Sequence, residues 1–172
     1  ISEDGKSGVL VEVNSETDFA ARDAGFLAFV DQVVDKVSAS NETDVAKLME
    51  GDLEKAREAL VQKIGENISV RRIVVLSDAV VGQYVHGNNR IGVLVALTGG
   101  DAELAKDISM HIAAVNPLFV RQSDVPEDLI EKEKEIFTAQ AEQSGKPAEI
   151  IQKMIGGRIG KYLAEISLLD QP

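Results

Sequence analysis

Residues 8–26 read "GVLVEVNSETDFAARDAGF", and the fold turns on how this stretch is parsed. Gly8 and the apolar run from Val9 to Val13 are followed by the polar residues Asn14 to Asp18, which predicts a buried strand ending in a turn. Beyond it, Phe26, Phe29, Val30, Val33, Val34 and Val37 recur at steps of three and four, the period of an amphipathic helix with one face on a core. Between the two stands Phe19, directly behind Asp18, in a chain that is only 4 % aromatic. Two readings compete there. In one, Asp18 is a helix N-cap and Phe19 a staple onto the Phe26 face. In the other, Phe19 is a wedge meant for another protein.

Outward from this stretch, "SASNETD" (38–44) predicts a loop, with Asp44 capping a short helix that ends near Glu50. Gly51-Asp52 opens a longer helix with Leu53, Ala56, Leu60 and Ile64 on one face and Gly65 as its stop. Ile68 to Leu76 and Val80 to His86 predict strands, and Gly87-Asn88-Asn89 a turn into a third at Ile91 to Leu97. Gly99-Gly100-Asp101 breaks that strand and caps a helix with the stripe Leu104, Ile108, His111, Ile112 and Val115, which Pro117 ends.

"GVLVEV" at Gly8 and "GVLVAL" at Gly92 are each followed by a polar turn and an amphipathic helix, the mark of a duplicated unit. The last third differs. Pro126 follows Ser123-Asp124 at a position that favours a first helical turn, and Leu129, Ile130, Ile136 and Phe137 lie amid dense charge. Gly145-Lys146-Pro147 is a stop-start signal, and Ile151, Met154, Ile155, Ile159, Tyr162 and Ile166 mark a returning helix. Two helices of about 18 residues would each run roughly 27 Å, too long and too charged to be covered by the rest. The expected class is therefore α+β: two related strand-helix subdomains with a protruding antiparallel helical hairpin, a coiled coil suited to self-association. The boundaries read as 1–79 for the subdomain with the Thr17-Asp18-Phe19 turn, 80–122 for an incomplete second subdomain, and 123–172 for the hairpin.

The 172 residues are 44 % apolar, enough for one large or two small domains. A net charge of −11 repels phosphate backbones, and basic residues gather nowhere to override it, so a protein partner is the easier reading than nucleic acid. There is no cysteine, hence neither a disulfide framework nor a thiolate metal site, which fits a reducing cytoplasm. No apolar run approaches the roughly 18 residues of a membrane span. The opening "ISEDGKSG" carries no initiator methionine and reads as the middle of a longer chain.

Catalytic chemistry is hard to assemble. His111 falls on a helix stripe, as a packed core histidine would, while His86 sits at a hairpin tip where contact with a partner is available. The two have no metal-ligand spacing. "GGRIGKY" (156–162) fails as a phosphate loop: its spacing is wrong, no Ser or Thr follows Lys161, and it lies within a helical pattern. Its glycines are expected to let helices approach closely. Glu16 and Asp18 could be posed as a carboxylate pair, but nothing nearby would tune either one as acid or base. The expectation is a protein that is not an enzyme and takes no cofactor.

Five ordered blocks, "EVNSETDFAARDAGF", "KIGENISVRRI", "HGNNRIGVLVAL", "MHIAAVNPLFV" and the stretch from "EKEKEIFTAQ" to "LLDQP", resemble the bacterial translation elongation factor Ts family over essentially the whole chain. The resemblance implies a guanine-nucleotide exchange factor for the GTPase elongation factor Tu. In that family an Asp-Phe pair enters the GTPase beside its magnesium site, so that magnesium and then GDP are held less well. The implied contact turn here is Thr17, Asp18, Phe19 and Ala20. Ile64, Gly65 and Asn67 of "IGEN" and His86 of "HGNNRIG" match further family positions at or near the GTPase surface, and the last block matches the family's dimerisation region. Measured against the family, an N-terminal helical module and a C-terminal strand and helix are not found here, so the second sheet is expected to have an open edge. Two alternatives stand beside this reading. One is a binding or dimerisation scaffold without exchange activity; the other is a hydrolase with a cleft joining Glu16 or Asp18 to His86.

Overall fold

The computed structural model describes residues 1–87 and 89–172, so the turn expected at Asn88 lies outside the described residues. The chain divides into two compact units, Ile1–Ala113 and Ala114–Pro172. The class is α+β as expected, with two antiparallel two-stranded sheets and six α-helices among the described residues.

In the first unit, strand β1 (Ser7–Asn14) leads through the turn to α1 (Ala24–Ser40), α2 (Val45–Met49) and α3 (Asp52–Ile64). The chain then enters β2 (Ser69–Ser77), which pairs antiparallel with β1. Alternation decides which way each β1 residue faces. Val9, Val11 and Val13 pack on the core of Phe26, Phe29, Val33, Val37, Leu48, Leu53, Leu60, Ile68, Val70 and Ile73. The helices are capped much as the sequence suggests: Asp44 Oδ1 accepts from the Ala46 and Lys47 amides, and Gly65, with φ 81°, closes α3. α1 runs further than expected, to Ser40, where the Ser38 and Ser40 hydroxyls donate to carbonyls four residues back and Asn41 closes the helix in the left-handed cap with φ 54°.

The register of β1 against β2 slips between Glu12 and Val13, leaving Arg71 as the extra residue of a bulge. The consecutive residues Arg71 and Arg72 thereby both reach Glu12, Arg71 Nη1 at 3.1 Å and Arg72 through Nε. These two arginines, Arg72 first, hold the Glu12 carboxyl below the usual carboxylate range.

Strands β3 (Val80–Val85) and β4 (Gly92–Leu97) form the second sheet, followed by α4 (Ala102–Val115). The two "GVLV" repeats meet reciprocally. A Cβ at Gly92 would lie 2.8 Å from the end of Leu10, and one at Gly8 would lie 3.0 Å from the end of Leu94. Each repeat's leucine therefore rests over the other's glycine. The stripe predicted for α4 is displaced: Leu104 and Val115 are each 47 % exposed, and the buried residues are Ala105 and Ser109. The cause is Gly82 on β3, where a Cβ would sit 2.5 Å from that of Ala105. Small residues at this crossing let helix and strand approach more closely than the larger stripe residues would.

In the second unit, α5 (Glu127–Glu142) and α6 (Ala148–Ile166) pair antiparallel around Ala141, Ile155 and Ile159, with Ile130, Phe137, Ile151 and Leu163 packed against them. Arg158 donates to Gln140 Oε1 at 2.9 Å and lies over the Phe137 ring, whose edge meets Tyr162. The segment at Leu118–Val120 is bonded to the exit of α6 through Ile166, Leu168 and Leu169. One expectation fails here: Gly156, Gly157 and Gly160 face open space, with nothing within 4 Å of an added Cβ, so they do not serve close helix approach.

Candidate functional site

The turn after β1 is built from short-range hydrogen bonds that leave Phe19 outside. Ser15 Oγ donates to the Thr17 carbonyl at 3.1 Å, and the Ala21 amide donates to that same carbonyl at 3.2 Å. A 3₁₀ turn follows at Ala20–Arg22. Ala20 is buried and fixes the turn to the unit, whereas its neighbour Phe19 is 87 % exposed, the highest exposure among the large apolar residues described. Phe19 has φ −70° and ψ −47°, so the backbone pays no strain for this placement. The N-cap of α1 is Asp23, whose Oδ1 accepts from the Gly25 amide at 2.7 Å and the Phe26 amide at 3.3 Å. Asp18 is thus not the helix cap and Phe19 is not a staple, which removes the bland reading of the pair.

Two side chains from elsewhere in the unit hold the turn. Glu66, in the loop after α3, accepts from the Thr17 amide at 3.0 Å and from the Thr17 hydroxyl at 2.6 Å. Arg90, at the tip between β3 and β4, forms an ion pair with Asp18. These contacts draw together three sequence-distant blocks: Thr17 to Ala20, Ile64 to Asn67, and the hairpin tip carrying His86. Ile64 is half-buried against the core, while Gly65 and Asn67 are exposed beside Glu66. His86 is exposed, its Nδ1 3.0 Å from the Tyr84 hydroxyl and its amide donating to the Ile91 carbonyl at 2.9 Å. His111 is half-buried on α4.

Sequence reasoning passed over Glu66 and Arg90. Both stand inside the blocks quoted for the resemblance, "KIGEN" and "HGNNRIG", but a single charged residue in a loop carries no signal of what it will bond. Only the fold brings Glu66 to a residue 49 positions earlier and Arg90 to one 72 positions earlier.

Two shallow pockets mark the first unit, one lined by Gly25, Phe29, Ala56 and Leu60 among others, the other by Ile1, Val80, Gly82 and Ala102. Neither pocket has Glu16, Asp18 or His86 in its lining. Among the described residues no group of three His, Cys, Asp or Glu side chains is placed to hold a metal ion, and no helix is long and apolar enough to cross a membrane.

An α+β chain that displays one bare aromatic ring on a braced turn has the makings of a protein-contact module, since an exposed Phe forgoes about 1.5–3 kcal/mol of burial until something covers it. Residues 16–172 match the family model described as Elongation factor TS. Curated relatives called Elongation factor Ts are similar throughout: that of Hahella chejuensis is 66 % identical over 99 % of this chain and 60 % of its own, and that of Cellvibrio japonicus 63 % identical over 100 % and 59 %. The one from Arthrospira platensis is 54 % identical over 100 % of this chain and 72 % of its own. The chain belongs to the elongation factor Ts family. It spans about three fifths of the length of the first two of these relatives.

Proposed function

We propose that this chain promotes GDP release from the translation GTPase elongation factor Tu, with Phe19 as the wedge and Thr17, Asp18 and Ala20 completing the contact turn. The observation that carries the reading is the 87 % exposure of Phe19 on a turn whose neighbour Ala20 is buried and whose flanks are held by Glu66 and Arg90. Ile64, Gly65, Asn67 and His86 would form the surrounding contact surface in the cytoplasm, where translation runs.

GDP is held by its phosphates and by the magnesium ion they share. A factor that binds the magnesium-free state better shifts the equilibrium towards it by its differential affinity, and by no more. Burial of one Phe ring supplies about 1.5–3 kcal/mol, and each 1.4 kcal/mol is about tenfold in an equilibrium constant. One ring can therefore weaken nucleotide binding by about one to two orders of magnitude if it is covered only in the displaced state.

The test is the release rate of fluorescent GDP from elongation factor Tu with the chain and with Phe19→Ala. Acceleration that falls at least several-fold in the variant supports the wedge. Acceleration that survives intact would move the mechanism away from Phe19. A scaffold that binds without exchanging is the second reading. It is favoured by Ile136 and Ile150 on the helical hairpin, 48 % and 47 % exposed, which offer apolar surface for self-association. It predicts capture of nucleotide-free elongation factor Tu, or a dimer in sedimentation, with no change in GDP release.

A further inference from the structure

Glu66 stands just past α3, where Gly65, with φ 81°, turns the chain back toward the end of β1. Its two carboxylate oxygens accept from two atoms of a single residue: Oε2 from the Thr17 amide at 3.0 Å and Oε1 from the Thr17 hydroxyl at 2.6 Å. Thr17 passes the restraint onward, because its hydroxyl oxygen also accepts from the Ala20 amide at 3.3 Å and its carbonyl from the Ala21 amide at 3.2 Å. Phe19 is thereby bracketed by residues tied through Thr17 to one carboxylate. We infer that Glu66 is a positioning residue for Phe19, holding the turn in the shape in which the ring is presented. This rests on the exchange reading of Phe19.

A bare aromatic on a loose turn must be ordered at the moment of insertion, and the cost is taken from the binding it achieves. If only a fraction of the free molecules present the ring correctly, productive engagement falls by that fraction. A bidentate, charge-assisted clamp on a backbone N–H and a short hydroxyl fixes geometry well. The other brace grips the turn differently: Arg90 pairs with the exposed Asp18 side chain, whereas Glu66 holds a backbone amide as well as a hydroxyl. Glu66 is therefore expected to matter more to the turn than Arg90.

The experiment uses the intact chain and its Glu66→Ala, Glu66→Gln, Thr17→Val and Phe19→Ala variants. Fluorescent-GDP release from elongation factor Tu is followed over a range of factor concentrations, and amide hydrogen exchange is measured on each free chain. Glu66→Ala should raise the half-saturating concentration several-fold, and so slow release at sub-saturating factor, while the maximal release rate moves less than about twofold. Glu66→Gln should fall between, since an amide oxygen can accept only one of the two bonds cleanly. Amide exchange at Thr17 and Ala20 should quicken in Glu66→Ala and in Thr17→Val, with protection of the α1 core amides unchanged. Thr17→Val keeps the inference testable should Glu66→Ala fold poorly.

Unaltered protection at Thr17 and Ala20 in both variants would overturn the inference. So would wild-type release by Glu66→Ala beside a clear loss in Phe19→Ala. If Phe19→Ala itself releases GDP normally, the wedge reading is what fails, and the amide data still decide whether Glu66 holds the turn.

Discussion

Glu12 shows how one carboxylate can be served by two adjacent strand residues. In a regular strand Arg71 and Arg72 would point to opposite faces; the bulge turns both toward Glu12. The folded-state carboxyl titrates below its ordinary value of 4.5, chiefly because of Arg72. The contribution to stability is therefore complete above that value and fades as the pH falls through the lower, folded-state one. Because the arginine side chains are 65 % and 72 % exposed, solvent screening holds it to about 1 kcal/mol or less. Glu12→Gln should lower Tm modestly at pH 7 and leave it unchanged near pH 2, as paired thermal melts would show. An equal loss at both pH values would mean that packing rather than charge is at stake. Gly82 makes the opposite kind of demand. A Cβ there would approach the backbone of Ala105 at 2.6 Å, and backbone cannot swing aside as a side-chain tip can. Gly82→Ala should cost about 1–3 kcal/mol or more, read as a lowered denaturant midpoint, because α4 must move off β3.

At the scale of elements, α6 carries glycines that its packing does not use. Gly156 and Gly157 lie within the helix with open space where a Cβ would go. Each glycine costs roughly 0.8–1 kcal/mol in a helix interior relative to alanine. Gly156→Ala and Gly157→Ala should therefore raise Tm, each adding up to about 1 kcal/mol by calorimetry, and a fall would reveal a contact made only in an assembly. Their misreading is instructive about what was legible. The periodic helices α1 and α3, the Asp44 cap, the Gly65 stop and the four strands followed from local pattern, because capping and alternation are decided by near neighbours. The displaced stripe of α4 and the open glycines of α6 did not, because the face an element buries depends on what lies opposite. For α4 that was Gly82, which no window centred on the helix contains. The site divides in the same way. Phe19 announced itself as an aromatic in a polar turn, whereas its supports Glu66 and Arg90 come from loops remote in sequence.

For the whole molecule, the question raised by the proposed exchange function is how a single exposed ring would act on a nucleotide bound to another protein. Linkage supplies the constraint: if the chain weakens GDP binding to elongation factor Tu by some factor, GDP must weaken the chain's binding by the same factor. The overall charge of −11 argues for an encounter with protein surface rather than with phosphate itself, since an acidic chain is repelled by a nucleotide's phosphates. Under the proposed exchange function, competition by direct occupation of the phosphate site is thus the less economical route, and displacement through the wedge is the one to test. Calorimetric titration of the chain into elongation factor Tu, with and without saturating GDP, should give dissociation constants differing by at least about tenfold. If the ring is covered only in the nucleotide-free state, Phe19→Ala should compress that difference while weakening nucleotide-free binding. Were the variant to weaken binding equally with and without GDP, the ring would be an anchor that does not discriminate between states, and the proposed exchange would have to draw on other residues, with Ile64, Asn67 and His86 the next to substitute.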